Sequence, residues 1–125
     1  MAEALGVLLL SAGHERAHYA FVLAAGAAAL GRQVTLFATN EGCRALLADP
    51  ALLADSERDA AVRATGVAGI GELRAAAVEL GVRLVACEAG LRMAHLATAA
   101  LLPGVEVAGV ATFLAATAGG QIVSL

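Results

Sequence analysis

Short apolar runs alternate with longer amphipathic segments along this chain, and the alternation predicts its elements. Residues 5–10 form a continuous apolar run, which is typical of a strand buried on both faces. Residues 14–30 have a helical pattern that ends at Gly31, a residue type common just past helix C-termini. Residues 33–39 are rich in β-branched and aromatic side chains, which favours a second strand.

The rest of the chain continues this alternation. Asn40 is a favourable N-cap residue and predicts a short helix to about residue 48. Residues 49–68 are the most polar part of the chain, and we expect them to form a mobile surface excursion with one weak helical piece. Further strands are predicted at residues 82–86, 105–108 and 121–125, and further helices at residues 70–80, 87–100 and 110–118.

Strands that alternate with helices over short connections indicate right-handed crossovers and a parallel sheet. We therefore predict an α/β fold: a single-domain three-layer sandwich over residues 1–125, with a mostly parallel five-stranded sheet and helices on both faces. The first and third strands are expected to be neighbours in this sheet. Function in such sheets gathers beyond the carboxyl ends of the strands.

Composition narrows the function classes. The chain is 60% hydrophobic, above the ~45–50% typical of soluble domains, and much of the excess is alanine. Residues 107–125 carry no charge, but their glycines and Gln121 favour a helix, a turn and a strand over a membrane span of about 20 residues. The N-terminus carries Glu3 and no basic residue, which argues against a secretory signal. We expect a soluble, cytoplasmic protein with no membrane partner.

Charge and aromatic content bear on the partners. The net charge is −3, and one Tyr and three Phe offer few rings for base stacking, so no nucleic-acid partner is expected. A chain this small has limited interior for so much apolar surface, which predicts a homo-oligomer.

Cys87 is the strongest single candidate for a reactive residue. It follows a predicted strand and opens a predicted helix, where unpaired amides favour the reactive thiolate. Arg92 adds positive charge if it folds back, whereas the neighbouring Glu88 disfavours a second negative charge. The alternative is a packing cysteine, because free cysteines are among the most buried residues. Packing is the favoured role for Cys43, which lies at an apolar-periodic helical position.

Residues 14–18 spell H-E-x-x-H, in which His14 and His18 would bind zinc on one helical face and Glu15 would act as base. The motif opens a helix directly after a buried strand, and no third ligand follows at a matching spacing. We therefore expect no metal and no cofactor, with both histidines as polar residues at the rim of a crevice. A metal-dependent enzyme that uses His14 and His18 is the third-ranked alternative.

The order of elements resembles the DsrE/DsrF-like family of sulfur-relay proteins, which includes subunits of the TusD type. The resemblance covers nearly the whole chain. Its pieces include Glu15-Arg16-Ala17 at the start of an alanine-rich helix, Asn40-Glu41-Gly42 after the second strand, and residues 105–109 near the end. The most specific piece is a cysteine at the end of the third strand, preceded by Leu80-Gly81-Val82.

The resemblance implies a cytosolic trimer or hexamer that holds sulfane sulfur as a persulfide on Cys87. A sulfur donor and an acceptor protein would be its partners, and the activity would be that of a sulfurtransferase-like carrier. The resemblance assigns Cys87 alone. From their positions beyond the predicted strand ends, His14, His18, Glu88, Arg92 and Asn40 are the supporting candidates, with His14 as a proton shuttle. The leading alternative is a non-catalytic module of the same fold that binds a small ligand or a partner, with Cys87 inert.

Overall fold

The computed structural model describes residues 3–125, and in this range five strands form one parallel sheet. The strand order is β4-β3-β2-β1-β5, and all four neighbouring pairs are parallel. This confirms the predicted fold class. The strands are β1 Leu5–Leu9, β2 Val34–Ala38, β3 Arg83–Cys87, β4 Glu106–Ala108 and β5 Gln121–Ser124.

Helices cover both faces of the sheet. The α-helices are α1 His14–Ala29, α2 Arg58–Ala64, α3 Ile70–Glu79, α4 Glu88–Met93 and α5 Val110–Ala116, and Asn40–Leu46 and Pro50–Leu52 are 3-10 helices. Successive side chains of a strand point to opposite faces of the sheet. Buried side chains therefore form two hydrophobic clusters, one on each face. Val7, Leu9 and Leu36 pack with Phe21 of α1, whereas Phe37 packs with Phe113 of α5 on the other face.

The strand order corrects one expectation about the sheet. β1 and β3 are not neighbours, because β2 pairs with both and lies between them. Each crossover from β1 to β4 places the next strand beside the last, and only β5 returns to the far side of β1. The carboxyl edge of the sheet is therefore divided into two regions. One lies beyond β2, β3 and β4, and the other lies beyond β1 and β5.

The helix predicted over residues 87–100 ends earlier, at Met93. His95 adopts a left-handed conformation with φ of 59°, and the Leu96 amide donates to the Leu91 carbonyl at 2.7 Å. The His95 amide also donates to the Arg92 carbonyl at 3.1 Å, and the two bonds end the helix as a Schellman motif. Glycine is the usual residue at the left-handed position of this motif. Here the left-handed residue is a histidine, and the buried Leu96 continues the apolar pattern past the helix end. The sequence pattern therefore predicts a longer helix than the structure contains.

Asn40 is also placed differently from the prediction. The N-cap is Thr39, and Asn40 is the first residue of a 3-10 helix that ends at Leu46, with a positive φ of 52°. Asparagine tolerates this left-handed conformation better than most residues do. The predicted short helix is therefore present in a tighter form and ends before residue 48.

The polar segment 49–68 is partly tied to the core. Leu53 in this segment is buried, and Gly13 and Ala54 form an isolated parallel bridge. The segment contains two helical pieces where one was predicted: the 3-10 helix Pro50–Leu52 and the α-helix α2.

No helix within residues 3–125 is long and apolar enough to cross a membrane. The uncharged residues 107–125 form the end of β4, then α5, a turn and β5. This confirms the predicted helix, turn and strand.

Candidate functional site

Cys87 lies where β3 meets α4. It is the last residue of the strand and the N-cap of the helix, and its Sγ accepts a hydrogen bond from the Gly90 amide at 3.4 Å. The Cys87 residue is 8% exposed, so its neighbours cover almost all of it. A single amide donor at the sulfur stabilises negative charge there.

The inner side of Cys87 packs on an aromatic cluster. The cluster consists of Phe37, Val85, Cys87 and Phe113, and Phe113 stacks on Phe37 with ring centroids 5.0 Å apart. Phe113 is the one buried residue of α5. Cys87 therefore packs against apolar side chains at the carboxyl end of β3.

A close backbone approach holds α4 against the loop that follows β2. A Cβ atom added at Gly90 would lie 2.5 Å from the Asn40 backbone nitrogen and 2.7 Å from Thr39 Oγ1. Only glycine fits this contact, because it has no side chain. The amide that bonds Cys87 Sγ is therefore positioned by the backbone of Thr39 and Asn40, at the start of the 3-10 helix.

Glu88 and Arg92 pair with one another on the exposed side of α4. Arg92 Nη2 lies 3.6 Å from Glu88 Oε1, and both side chains are about two-thirds exposed. The guanidinium thus faces a carboxylate on its own helix and is not folded back onto the thiol. Exposed pairs at this spacing contribute little to stability. Both side chains lie on the helix that Cys87 caps and are accessible to solvent.

Cys43 is a second thiol nearby, in a different setting. It is fully buried in the cluster on the α1 face, and its Sγ donates to the Ala38 carbonyl at 3.5 Å. Burial raises the pKa of the Cys43 thiol to about 11, and negative charge on Cys87 adds to this shift. Cys43 is therefore protonated and unreactive at neutral pH.

His14 lies in the other region of the carboxyl edge, beyond β1 and β5. Its ring is 1% exposed, and Nε2 lies 2.7 Å from Asp59 Oδ1. The same Asp59 oxygen accepts the Ile70 amide at 2.8 Å. Contrary to our expectation, His14 is not adjacent to Cys87, because β2 lies between β1 and β3, the strands that precede these two residues.

His18 stacks on His14, with ring centroids 5.4 Å apart, and its Nε2 lies 2.8 Å from the Ala68 carbonyl. Glu15, the would-be zinc-protease base, is 81% exposed and pairs with Arg58. Within residues 3–125, no three His, Cys, Asp or Glu side chains gather in a group that could hold a metal ion. In the described residues, the three polar side chains of the H-E-x-x-H motif thus have separate partners: His14 contacts Asp59, His18 contacts the Ala68 carbonyl and Glu15 contacts Arg58.

The Asp59–His14 contact predicts a pH-dependent stability. Burial raises the pKa of Asp59, but hydrogen bonds from His14 and the Ile70 amide, with the charges of His14 and Arg63, lower it below its ordinary value. A carboxylate with a lowered pKa stabilises the fold above the unfolded-state pKa of about 3.9, and this contribution is lost as the pH falls through the folded-state pKa.

Urea unfolding of the wild type and Asp59→Asn measures this contribution. We expect the wild type to be the more stable protein near neutral pH and the difference to shrink below about pH 4. Asp55→Asn is the matched control, because Asp55 is exposed in the same segment. A difference that stays constant down to about pH 2 would show that the Asp59 charge contributes nothing.

Sequence reasoning missed Gly90, Phe113 and Asp59. Glycine inside a helix weakens it, so Gly90 was itself a signal of a close backbone approach. Phe113 is one of only three phenylalanines and was therefore a candidate for the core. Asp59 lies 45 residues from His14, and no local pattern links the two.

Fold and site together define a class of protein: a small parallel α/β protein with a thiol at the carboxyl edge of its sheet. The model of the DsrE/DsrF/DrsH-like family matches residues 51–123, which are more than half of the chain and include Cys87. This chain belongs to the DsrE/DsrF/DrsH-like family. The family resemblance drawn from the sequence is thereby confirmed.

Solved structures give the same fold. Eight chains match, among them the crystal structure of the YchN protein from E. coli, with a TM-score of 0.71 and 14% identity over 100% of both chains. At this identity the likeness shows the fold alone. The sequence matches no curated protein.

Proposed function

We propose that this protein is a sulfur carrier that holds sulfane sulfur as a persulfide on Cys87 and passes it to an acceptor. The observation that carries the proposal is the position of Cys87: the end of β3, the N-cap of α4, and a sulfur bonded by the Gly90 amide. Membership of a family whose members are known for sulfur relay supports the same assignment.

The proposed chemistry has two balanced steps. The Cys87 thiolate attacks the outer sulfur of a donor such as thiosulfate, a new S–S bond forms, and sulfite leaves with the electron pair of the broken bond. An acceptor thiolate then attacks the outer sulfur of the Cys87 persulfide, which regenerates the Cys87 thiolate. No metal, cofactor or external oxidant takes part in either step.

Other groups at the edge have supporting roles in this proposal. The Gly90 amide stabilises the sulfur anion, and Asn40 supports α4 through the contact of its backbone with Gly90. Glu88 and Arg92 present one charge of each sign on the exposed side of α4, the helix that Cys87 caps, where a donor or an acceptor protein would dock. His14 and His18 have no role at Cys87.

We also propose that residues 1–125 act as a single domain that assembles with copies of itself, as a trimer or a hexamer. α5 presents Val110 and Leu114 four residues apart on one helical face, and they are 56% and 53% exposed. Val107 of β4 and Ile122 of β5 are 50% and 44% exposed. We take the exposed apolar pair on α5 as the association surface, since contiguous apolar patches mark such surfaces, whereas Val107 and Ile122 lie at opposite edges of the sheet. Two free cysteines fit a reducing compartment, and we place the protein in the cytoplasm.

Sulfur loading of single-cysteine variants tests the carrier proposal. After exposure to thiosulfate or polysulfide and removal of the excess, intact mass is measured for Cys43→Ser and Cys87→Ser. We expect Cys43→Ser to gain sulfur that a reductant removes. We expect Cys87→Ser to gain none, because buried Cys43 stays protonated. Equal loading of the two variants would overturn the proposal.

The low exposure of Cys87, 8%, favours one rival function, a binding module in which the thiol is inert. Alkylation of the folded Cys43→Ser protein separates the two. A carrier requires the Cys87 thiol to react in the folded state, whereas a packing cysteine reacts only when the protein unfolds.

A further inference from the structure

The topology marks a second place at which this sheet should bind a ligand. From β1 to β4 each strand is added on one side, and β5 is added on the other side of β1, so the strand order reverses between β1 and β5. In open α/β sheets, ligands bind beyond the carboxyl ends of the strands at such a reversal. Cys87 ends β3, two strands away, and does not belong to this crevice.

A groove of about 500 Å³ lies at this place. The first turns of α1 form one wall, Arg58 and Val62 of α2 form another, and Leu125 closes the end beyond β5. Leu125 is held by backbone hydrogen bonds with Leu8 and Leu10 of the β1 edge. The groove is therefore built on regular elements on three sides.

Two arginines and one glutamate, Arg16, Arg58 and Glu15, are the charged residues that line this groove. Arg16 is exposed and forms no ion pair with any carboxylate in residues 3–125, and Arg58 contacts the mostly exposed Glu15 at 3.3 Å. α1 is 16 residues long, and its N-cap Gly13 supplies no side-chain hydrogen bond to the first turn. The amides of that turn and the helix dipole favour an anion.

His14 is a second, independent observation that points to a ligand in this groove. Its side chain belongs to the groove wall and is 1% exposed, and its Nδ1 is buried with no hydrogen-bond partner in residues 3–125. Because Asp59 only accepts, Nε2 of His14 carries the proton of their hydrogen bond, and in the neutral imidazole Nδ1 is then an acceptor. A buried acceptor without a donor is unfavourable, and a ligand that donates a proton there would satisfy it.

The free guanidinium of Arg16, the first-turn amides of α1 and the unpaired Nδ1 of His14 together fit a ligand that is both an anion and a proton donor. We propose that the groove is a phosphate site, which takes inorganic phosphate or a small phosphomonoester. Arg16, Arg58 and the first-turn amides of α1 bind the anionic oxygens, and a P–OH group seated between α1 and α2 donates to His14 Nδ1. Sulfate has the same shape but no proton at neutral pH, so the site discriminates against it.

Titration with inorganic phosphate, sulfate and glycerol phosphate tests the site, with calorimetry for Kd and amide NMR for location. We expect phosphate to shift the first-turn amides of α1 and to bind at least about tenfold more tightly than sulfate, since one buried hydrogen bond carries such a factor. Tighter binding of glycerol phosphate than of inorganic phosphate assigns the site to esters, and the reverse order assigns it to the free ion.

Variants complete the test. Arg16→Ala, an exposed substitution that leaves the core intact, should weaken phosphate binding at least about tenfold. Arg44→Ala, on the 3-10 helix after β2, and Cys87→Ser should leave phosphate binding unchanged. The phosphate site is therefore tested independently of the carrier proposal. His14→Asn should remove the preference for phosphate over sulfate. Equal affinity for the two anions in the wild type, or unchanged binding by Arg16→Ala, would overturn the assignment.

Discussion

Replacement of Phe113 by alanine is expected to destabilise the protein by about 3–5 kcal/mol, the usual cost of truncating a buried phenylalanine. Phe113 is 2% exposed, stacks on Phe37, and is the one side chain by which α5 is buried on the sheet. It also packs over Gly6, where an added Cβ would meet the Phe113 ring at 2.8 Å. No smaller side chain fills this space, so a cavity remains beneath α5.

The same substitution should expose Cys87, which shares the cluster with Phe113. Urea unfolding measures the stability, and alkylation of the folded protein in a Cys43→Ser background measures access to the thiol. Phe21→Ala is the matched control, because Phe21 is fully buried on the α1 face. It should lose similar stability with a smaller change in Cys87 alkylation. Equal acceleration by both variants would show that only global stability governs access.

Replacement of Gly90 by alanine is expected to impair sulfur loading and to cost about 1–3 kcal/mol, the range found for overpacked sites. The new methyl group would lie 2.5 Å from the Asn40 backbone nitrogen, and backbone cannot rotate out of its way as a side chain does. Either α4 or the loop after β2 must move. In both cases the Gly90 amide is displaced from Cys87 Sγ, and the sulfur anion loses its hydrogen bond.

The matched control for Gly90→Ala is Gly26→Ala. Gly26 lies within α1, and an added Cβ there meets nothing within 4 Å. Alanine at such a helical site should stabilise the protein by about 0.5–1 kcal/mol and leave sulfur loading unchanged. If Gly90→Ala loads sulfur at the wild-type rate, the amide contact has no part in the chemistry.

Local patterns were sufficient to predict the elements of the fold. The apolar run at β1, the glycine after α1 and the β-branched run at β2 each determine a structure through neighbours in the sequence. The end of α4 was missed because its left-handed residue is His95, which carries no such signal. Strand order was missed for β1 and β3 because it depends on contacts between distant segments.

The candidate site divides in the same way. Cys87 was identified because its position depends only on the junction of β3 and α4. Its surroundings were not, because the contact of Gly90 with Thr39 joins residues about 50 positions apart. His14 was expected near Cys87 only through the assumed pairing of β1 and β3, and the Asp59 that binds it comes from the polar segment. Pairings across the chain belong to the tertiary structure and are not set by periodicity.

The location of added sulfur in the wild-type protein tests the central proposal most directly. The protein is exposed to thiosulfate or polysulfide, freed of excess, trapped with an alkylating reagent and mapped by peptide mass spectrometry, with a reduced sample in parallel. We predict a persulfide on the peptide that contains Cys87, an unmodified Cys43, and loss of the added sulfur in the reduced sample. A Cys87 peptide that never carries sulfur, with its thiol alkylated only after unfolding, would contradict the carrier function.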